Sequence, residues 1–522
     1  MYDLVIKGGR IIDGTGNPWY RGDVAIEGEK IARVGRVYES SESTIDASGL
    51  VVSPGFIDVH SHSDLMLLTE PEAKAKIMQG VTTEIVGQDG LGEAPIREDV
   101  IEMWRKYLSG LNGNPDIEWT WRSFGDYLKK LEEVKPAVNV ASLVGHGNLR
   151  LLAVGMDNRK PTPQELDEMK RLLAESMEQG ALGMSTGLIY PPCVYSDTYE
   201  LTELCKTVNS HNGVFVVHMR NEGDKLLESI EEVVSVGRGS GVPVHISHFK
   251  SNGRANWGKS MKALEKLDFA RKEGVDITFD QYPYTAGSTF LGSLLPPWVH
   301  EGGVNKLIER LRDEATRKKL IAYLNNEGDE GSLHEWDRIL VTFVATCRNK
   351  KFEGKYISQI GQELNKTPAE TVLDLVIEEE NAVTMASFTM SEDDVKAIMK
   401  SPLGMVCSDG ILLGKPHPRA YGSFARVPGR YVSNGTLNLE DAIRKMTSYP
   451  AQKFSLIKRG LIKYGFYADI TIFDPRILED KATFEEPIQH PTGINYVIVN
   501  GNKVLENNKY NNKLSGMVLK NS

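Results

Sequence analysis

Between residues 55 and 410 short β-branched runs keep returning, each followed by a stretch with helical spacing, and several of these runs end in histidine or aspartate. Alternating strands and helices of this kind build a parallel sheet, because each crossover returns the chain to the same end of it. Eight runs qualify as strands: 55–62, 81–86, 138–144, 182–185, 214–218, 242–248, 276–280 and 405–409. Helical spacing is clearest over 164–179 and 261–273. Eight units predict an α/β fold of the (β/α)₈ TIM-like barrel type. Two further runs, 339–345 and 385–390, exceed what a barrel needs, so residues from about 290 to 400 read as an insertion.

The two chain ends have another texture. LVIKGGRII and DVAIEGEKIARV near the start, and YADITIF and YVIVNGNKVL near the finish, are hairpin patterns around Gly and Asn-Gly turns. Neither end is long enough to bury a core alone. Residues 1–54 plus 455–522 are therefore expected to form one discontinuous β-sandwich domain beside a barrel domain of residues 55–454. The polar, Asn-rich segment from residue 509 is expected to fray.

Charge and cysteine usage narrow the partners. There are 61 basic against 71 acidic residues, a net charge of −10, and no basic run suited to a phosphate backbone, which argues against nucleic acid. No run reaches the roughly 18 apolar residues of a membrane span, and no basic-then-apolar leader opens the chain. Cys193, Cys205, Cys347 and Cys407 make no C-x-x-C pair and no disulfide scaffold. A cytoplasmic protein without a membrane partner is expected.

The chemistry sits at the strand ends. Residues two apart on a strand share a face, which puts His60 and His62 of GFIDVHSH together and Ser61 opposite. In a barrel such ends line the C-terminal mouth, where the active sites of this fold lie. H-x-H alone reads as readily as two ordinary polar histidines. His218 ends VFVVH, His248 ends VHISH and Asp409 ends MVCSD, so five metal-type side chains fall at four strand ends spread through the chain. Their convergence predicts a metal centre. By the same alternation Val244, Ile246 and His248 share a face, and His245 points towards a helix or solvent. Asp58 shares the His60 face and is a candidate to orient a ligand. His146, in VGHG, reads equally as a support for the site and as a buried, hydrogen-bonded histidine.

The blocks GFIDVHSH, QGVTT, VGH followed by LR, GLIYPP, HMRNEG, SHFK, YPYTAGST, SDG, PHPR and YADITIFDP occur in this order along almost the whole chain. Together they resemble the N-acyl-D-amino-acid deacylases (D-aminoacylases) of the amidohydrolase superfamily. The resemblance implies a metal-bearing (β/α)₈ barrel with a small β-sandwich, and metal ligands at His60, His62, His218, His248 and Asp409. A sixth position departs from the family. Where members carry Gly-Asn-Cys-Gly, this chain has Gly-Gln-Asp-Gly, which places Asp89 at the position of a thiolate ligand. Asp-Gly is also ordinary turn chemistry.

One or two divalent ions are implied, zinc by resemblance. Manganese or iron is within reach because a carboxylate is a harder ligand than a thiolate. Residues 181–190 contain no lysine, which argues against the hydantoinase and dihydroorotase branch that bridges its metals with a carboxylated lysine. Tyr190, Lys250, Ser288 and Arg419 match positions that hold the substrate carboxylate, and a small anionic N-acyl amino acid is the implied partner. Asp409 is the implied catalytic base. The expected activity is metal-dependent hydrolysis of the amide bond of N-acyl-D-amino acids, giving a D-amino acid and a carboxylate. An amidohydrolase acting on a cyclic amide, a carbamoyl group or another acyl substrate is the alternative. A non-catalytic scaffold fits less well, having no use for five convergent polar side chains. A homo-oligomer is compatible with this reading.

Overall fold

The computed structural model describes residues 1–326 and 334–521. Eight strands follow one another around a ring: Phe56–Asp58, Val81–Val86, Asn139–Ser142 continued by Val144–Gly145, Gly183–Gly187, Val214–His218, Val244–Ile246, Ile277–Gln281 and Gly404–Val406. Every pairing between neighbours is parallel. A bridge between Ser61 and Gly410 joins the last strand to the first, and the Asp409 N–H donates to the His60 carbonyl across the same seam. The fold is an α/β barrel of TIM type.

The connecting helices follow from capping and periodicity. In Pro163–Glu178, Thr162 and Glu165 form a capping box, proline occupies the first turn, and Leu166, Met169, Leu173 and Met177 make one buried stripe. Inside the cylinder Ile57, Val59, Ile85, Ala141, Val214, Val216, Met405 and Cys407 pack with Phe454. Phe215, Val217, Val244 and Ile246 join the outer core with helix residues such as Ile230, Ala263 and Leu267.

This division reverses one expectation. His245 is the inward residue of the sixth strand: it is buried, its ring meets Phe454 edge-on at 5.2 Å, and its nitrogens bond Thr278 and Asp280. Alternation counted back from His248 fails because the strand stops at Ile246 and His248 itself turns left-handed, with φ 34°.

The two surplus runs leave the barrel. Ile339–Val344 and Val383–Ser387 pair antiparallel with each other, and the latter also with Gly287–Phe290, giving a three-stranded sheet after the seventh barrel strand. That sheet has its own core, including Leu291, Val299, Leu311, Val341, Ile360 and Val376. Residues 327–333 of the expected insertion lie outside the described residues.

Both chain ends meet in one nine-stranded sheet, in which Val51–Pro54 pairs antiparallel with Ile470–Phe473. Leu4, Ile6, Val24, Ile26, Ile470 and Ile498 share its core. The segment from residue 509, expected to fray, is tied down at two places. Lys509–Tyr510 pairs with Asn502–Glu506, and Val518–Leu519 adds as a parallel strand to Asn139–Ser142. Polar side chains on both sides hold it: Asn139 Oδ1 accepts from the Met517 N–H, Asn500 Nδ2 donates to the Ser515 carbonyl, and Asn511 Nδ2 of the segment itself donates to the Lys503 carbonyl. Among the described residues no helix is long and apolar enough to cross a membrane.

Candidate metal centre at the barrel mouth

The structure brings all six predicted ligand side chains to one end of the cylinder, and it does so in two groups. His60 Nε2 lies 3.3 Å from His62 Nε2, and Asp409 Oδ1 lies 3.5 and 3.2 Å from them. Two ligands about 2.0–2.1 Å from a tetrahedral ion stand about 3.3 Å apart, so this spacing fits one ion. Asp89 stands between this group and the next. Its Oδ1 is 3.7 Å from both His60 Nε2 and His248 Nε2, while Oδ2 is 3.6 Å from His62 Nε2 and 3.8 Å from His218 Nδ1.

Asp89 thus faces both imidazole pairs, and His60, Asp89 and His248 lie close enough together that they could hold a second ion. The unmet valences agree. Neither ring nitrogen of buried His218 has a hydrogen-bond partner, nor do His60 Nδ1, His62 Nδ1 and Asp89 Oδ1. Buried polar atoms left without partners cost about 1–3 kcal/mol each, and a cation among them removes that cost. Burial alone would disfavour charge on Asp89, but His60 and its neighbouring imidazoles outweigh it and hold the carboxyl well below its ordinary range.

Three of the six residues take the left-handed backbone conformation: Asp89 (φ 56°), His248 (φ 34°) and Asp409 (φ 48°). Such conformations cost of order 1–3 kcal/mol each in non-glycine residues and persist only when the surroundings hold them. Asp280 Oδ1 accepts the His248 N–H at 2.6 Å, and the His60 carbonyl accepts the Asp409 N–H at 2.9 Å. Asp89 is held by its flanking glycines. Gly87 and Gly90 both have positive φ, and a Cβ on Gly87 would come 2.2 Å from the Leu143 carbonyl oxygen.

A second layer surrounds these groups, and sequence reasoning missed most of it. Glu222 Oε1 lies 3.1 Å from His248 Nδ1 and accepts from Lys250 Nζ at 2.6 Å, while Oε2 is 3.9 Å from His218 Nε2. Burial pushes its carboxyl up, but Lys250 and the two imidazoles bring it down to about 2. Its one signal was its place four residues after His218 in HMRNEG. Asp280, at the end of the seventh strand, bonds His245 and sits 3.8 Å from His60 Nδ1; its signal was the same strand-end position that singled out Asp409.

Asp58 does not reach an imidazole ring. It accepts from Lys76 Nζ and from the Ser408 N–H, and so fixes the seam between the first and last strands. His146 is buried between Thr186 and Glu200, away from the cavity.

The mouth opens into a cavity of about 810 Å³, lined by every predicted site residue except His60. Phe290, Ile339 and Met385 of the inserted sheet form part of its wall. Tyr190 meets the His218 ring edge-on at 5.1 Å, and its hydroxyl shares a 2.6 Å hydrogen bond with Thr289. Arg419, expected to hold the substrate carboxylate, is engaged within the protein: Nη1 is 2.8 Å from Asp409 Oδ2, Nη2 donates to the Ser288 carbonyl at 3.0 Å, and the guanidinium stacks on Tyr282. Burial opposes charge on Asp409, but Arg419 and His60 prevail and keep its carboxyl far below the ordinary range.

Residues 43–505 match the model of an amidohydrolase family. The chain belongs to this family. It is 33% identical to a D-aminoacylase of Alcaligenes xylosoxydans xylosoxydans, over 99% of this chain and 97% of that one. Its structure is similar to that of an N-acyl-D-glutamate deacylase from Bordetella bronchiseptica complexed with zinc and a phosphonate inhibitor, with a TM-score of 0.85, 33% identity and 99% of each chain covered. It is equally similar to a D-aminoacylase with a binuclear metal centre, with a TM-score of 0.84, 34% identity and the full length of both chains covered.

Proposed function

We propose that this protein hydrolyses the amide bond of N-acyl-D-amino acids, releasing a D-amino acid and a carboxylate. The observation that carries the reading is the buried, hydrogen-bond-free His218 beside His248 and Asp89 at the floor of a substrate-sized cavity, in a chain similar over its whole length to such deacylases. His60, His62 and Asp409 would hold one divalent ion, His218 and His248 a second, and Asp89 would face both. Zinc follows from the relatives, and the carboxylate of Asp89 extends the choice to manganese or iron. When bound, the metal polarises the scissile carbonyl and lowers the pKa of a water towards about 7.

The residues supply the rest. Asp409 accepts the proton of the attacking water and returns it to the departing nitrogen, which otherwise leaves as a poor amide anion. Arg419 holds the other oxygen of Asp409 and so fixes its direction. Lys250 and Arg419 put positive charge at the mouth for the substrate carboxylate, with Tyr190 and Ser288 on the same wall. In this reading residues 1–54 plus 455–522 form a discontinuous β-sandwich and 55–454 the catalytic barrel, in a cytoplasmic enzyme compatible with a homo-oligomer.

The test is a panel of N-acetyl-D- and N-acetyl-L-amino acids, together with hydantoin and dihydropyrimidines, assayed alongside metal analysis by mass spectrometry. Turnover of the D series with up to two ions per chain is expected. Turnover of the cyclic amides in place of the D series would sink the proposal.

A further inference from the structure

His248 has two neighbours competing for its outer nitrogen. Lys250 Nζ is 2.7 Å from Nδ1 and Glu222 Oε1 is 3.1 Å from it. The two demand opposite tautomers. An ammonium has no lone pair, so it can only donate to Nδ1, which puts the ring proton on Nε2 and aims an N–H at Asp89. A carboxylate can only accept, which keeps the proton on Nδ1 and leaves the Nε2 lone pair facing Asp89, 3.7 Å away. Only the second arrangement offers a ligand to a cation.

Glu222 also engages the competitor, accepting from Lys250 Nζ at 2.6 Å. His218 turns Nδ1 to Asp89 and Nε2 to Glu222 Oε2 in the same sense. His218, Glu222 and His248 lie close enough together to suggest an ion among them, but Lys250 already occupies that side, and a divalent cation there would face its ammonium.

We propose that Glu222 is a positioning residue that selects the metal-binding tautomer of His248 against Lys250. This rests on the two-ion reading above. Without the carboxylate, Lys250 donates to Nδ1 and turns a proton towards the ion.

The test is titration of the purified, metal-stripped protein with zinc and with manganese, followed by calorimetry and by metal analysis. In wild type two ions should bind. In Glu222→Gln, which keeps the shape but can now donate as well as accept, the ion at His218 and His248 should bind about 10–100-fold more weakly, with the ion at His60, His62 and Asp409 unchanged. Lys250→Met alone should leave both affinities near wild type, and Glu222→Gln with Lys250→Met should regain most of the lost affinity, a rescue that a merely structural role would not produce.

Wild-type affinity in Glu222→Gln, or a double variant no better than the single one, would overturn the proposal. Cobalt-loaded protein whose visible absorption at saturation changes on Glu222→Gln would overturn it too, by making Glu222 a direct ligand. A wild type that takes up no second ion would overturn the two-ion reading instead, which is a separable result.

Discussion

The two halves of the metal centre differ in spacing and in what stands behind their imidazoles. His60, His62 and Asp409 crowd within 3.5 Å of one another, yet Nδ1 of both histidines has no hydrogen-bond partner. His218 and His248 stand 3.7–3.8 Å from Asp89, and His248 alone has its far nitrogen within hydrogen-bond reach of Glu222, at 3.1 Å; His218 Nε2 is 3.9 Å from that residue, about as far as His60 Nδ1 is from Asp280, at 3.8 Å. An imidazole whose outer N–H meets a carboxylate is better oriented and more basic towards a metal. Because Glu222 backs His248 in this way, the His218/His248 half is expected to hold its ion more tightly.

The largest effect expected from this contrast is that of His248→Ala, which should remove the tightly held ion and take turnover to background, read by metal analysis beside kinetics. Asp409→Asn comes next. It should lower turnover by about 10²–10⁴-fold while KM stays near wild type, and near-normal turnover would show that the base is elsewhere. His62→Ala should release the weaker ion and cost less activity than His248→Ala; the reverse order would break the argument from backing. The smallest change is expected of Asp89→Cys, which should move the preference of the shared position from manganese towards zinc in a competition assay.

The barrel was legible because its signal is repeated. Val81–Val86 and Val214–His218 run between the residues expected, and the other barrel strands overlap their predicted runs, because hydrophobic strands between capped helices leave few alternatives. The ligands were legible as chemistry at strand ends. Their directions were less so. Alternation carries a side chain's direction only while the strand lasts, and at His248 the backbone has already turned left-handed. His245 was misplaced for that reason. Glu222 lay outside any strand, so period-two reasoning had no hold on it, and only the coordinates show that it faces two histidines at once. Arg419 was recognised as a mouth cation, but its grip on Asp409 depends on a contact between the eighth strand and the helix beginning at Arg419, which spacing does not encode.

The strand Val518–Leu519 has a consequence for how the molecule is assembled. The third and fourth barrel strands pair through Val144 and Gly145, and below them Val140 and Ala141 pair with residues 518 and 519. Every stave of the cylinder is thus translated before the sliver that caulks it. Until that sliver arrives, the nascent protein carries an unsealed edge of bare amides and carbonyls, open to wrong pairings.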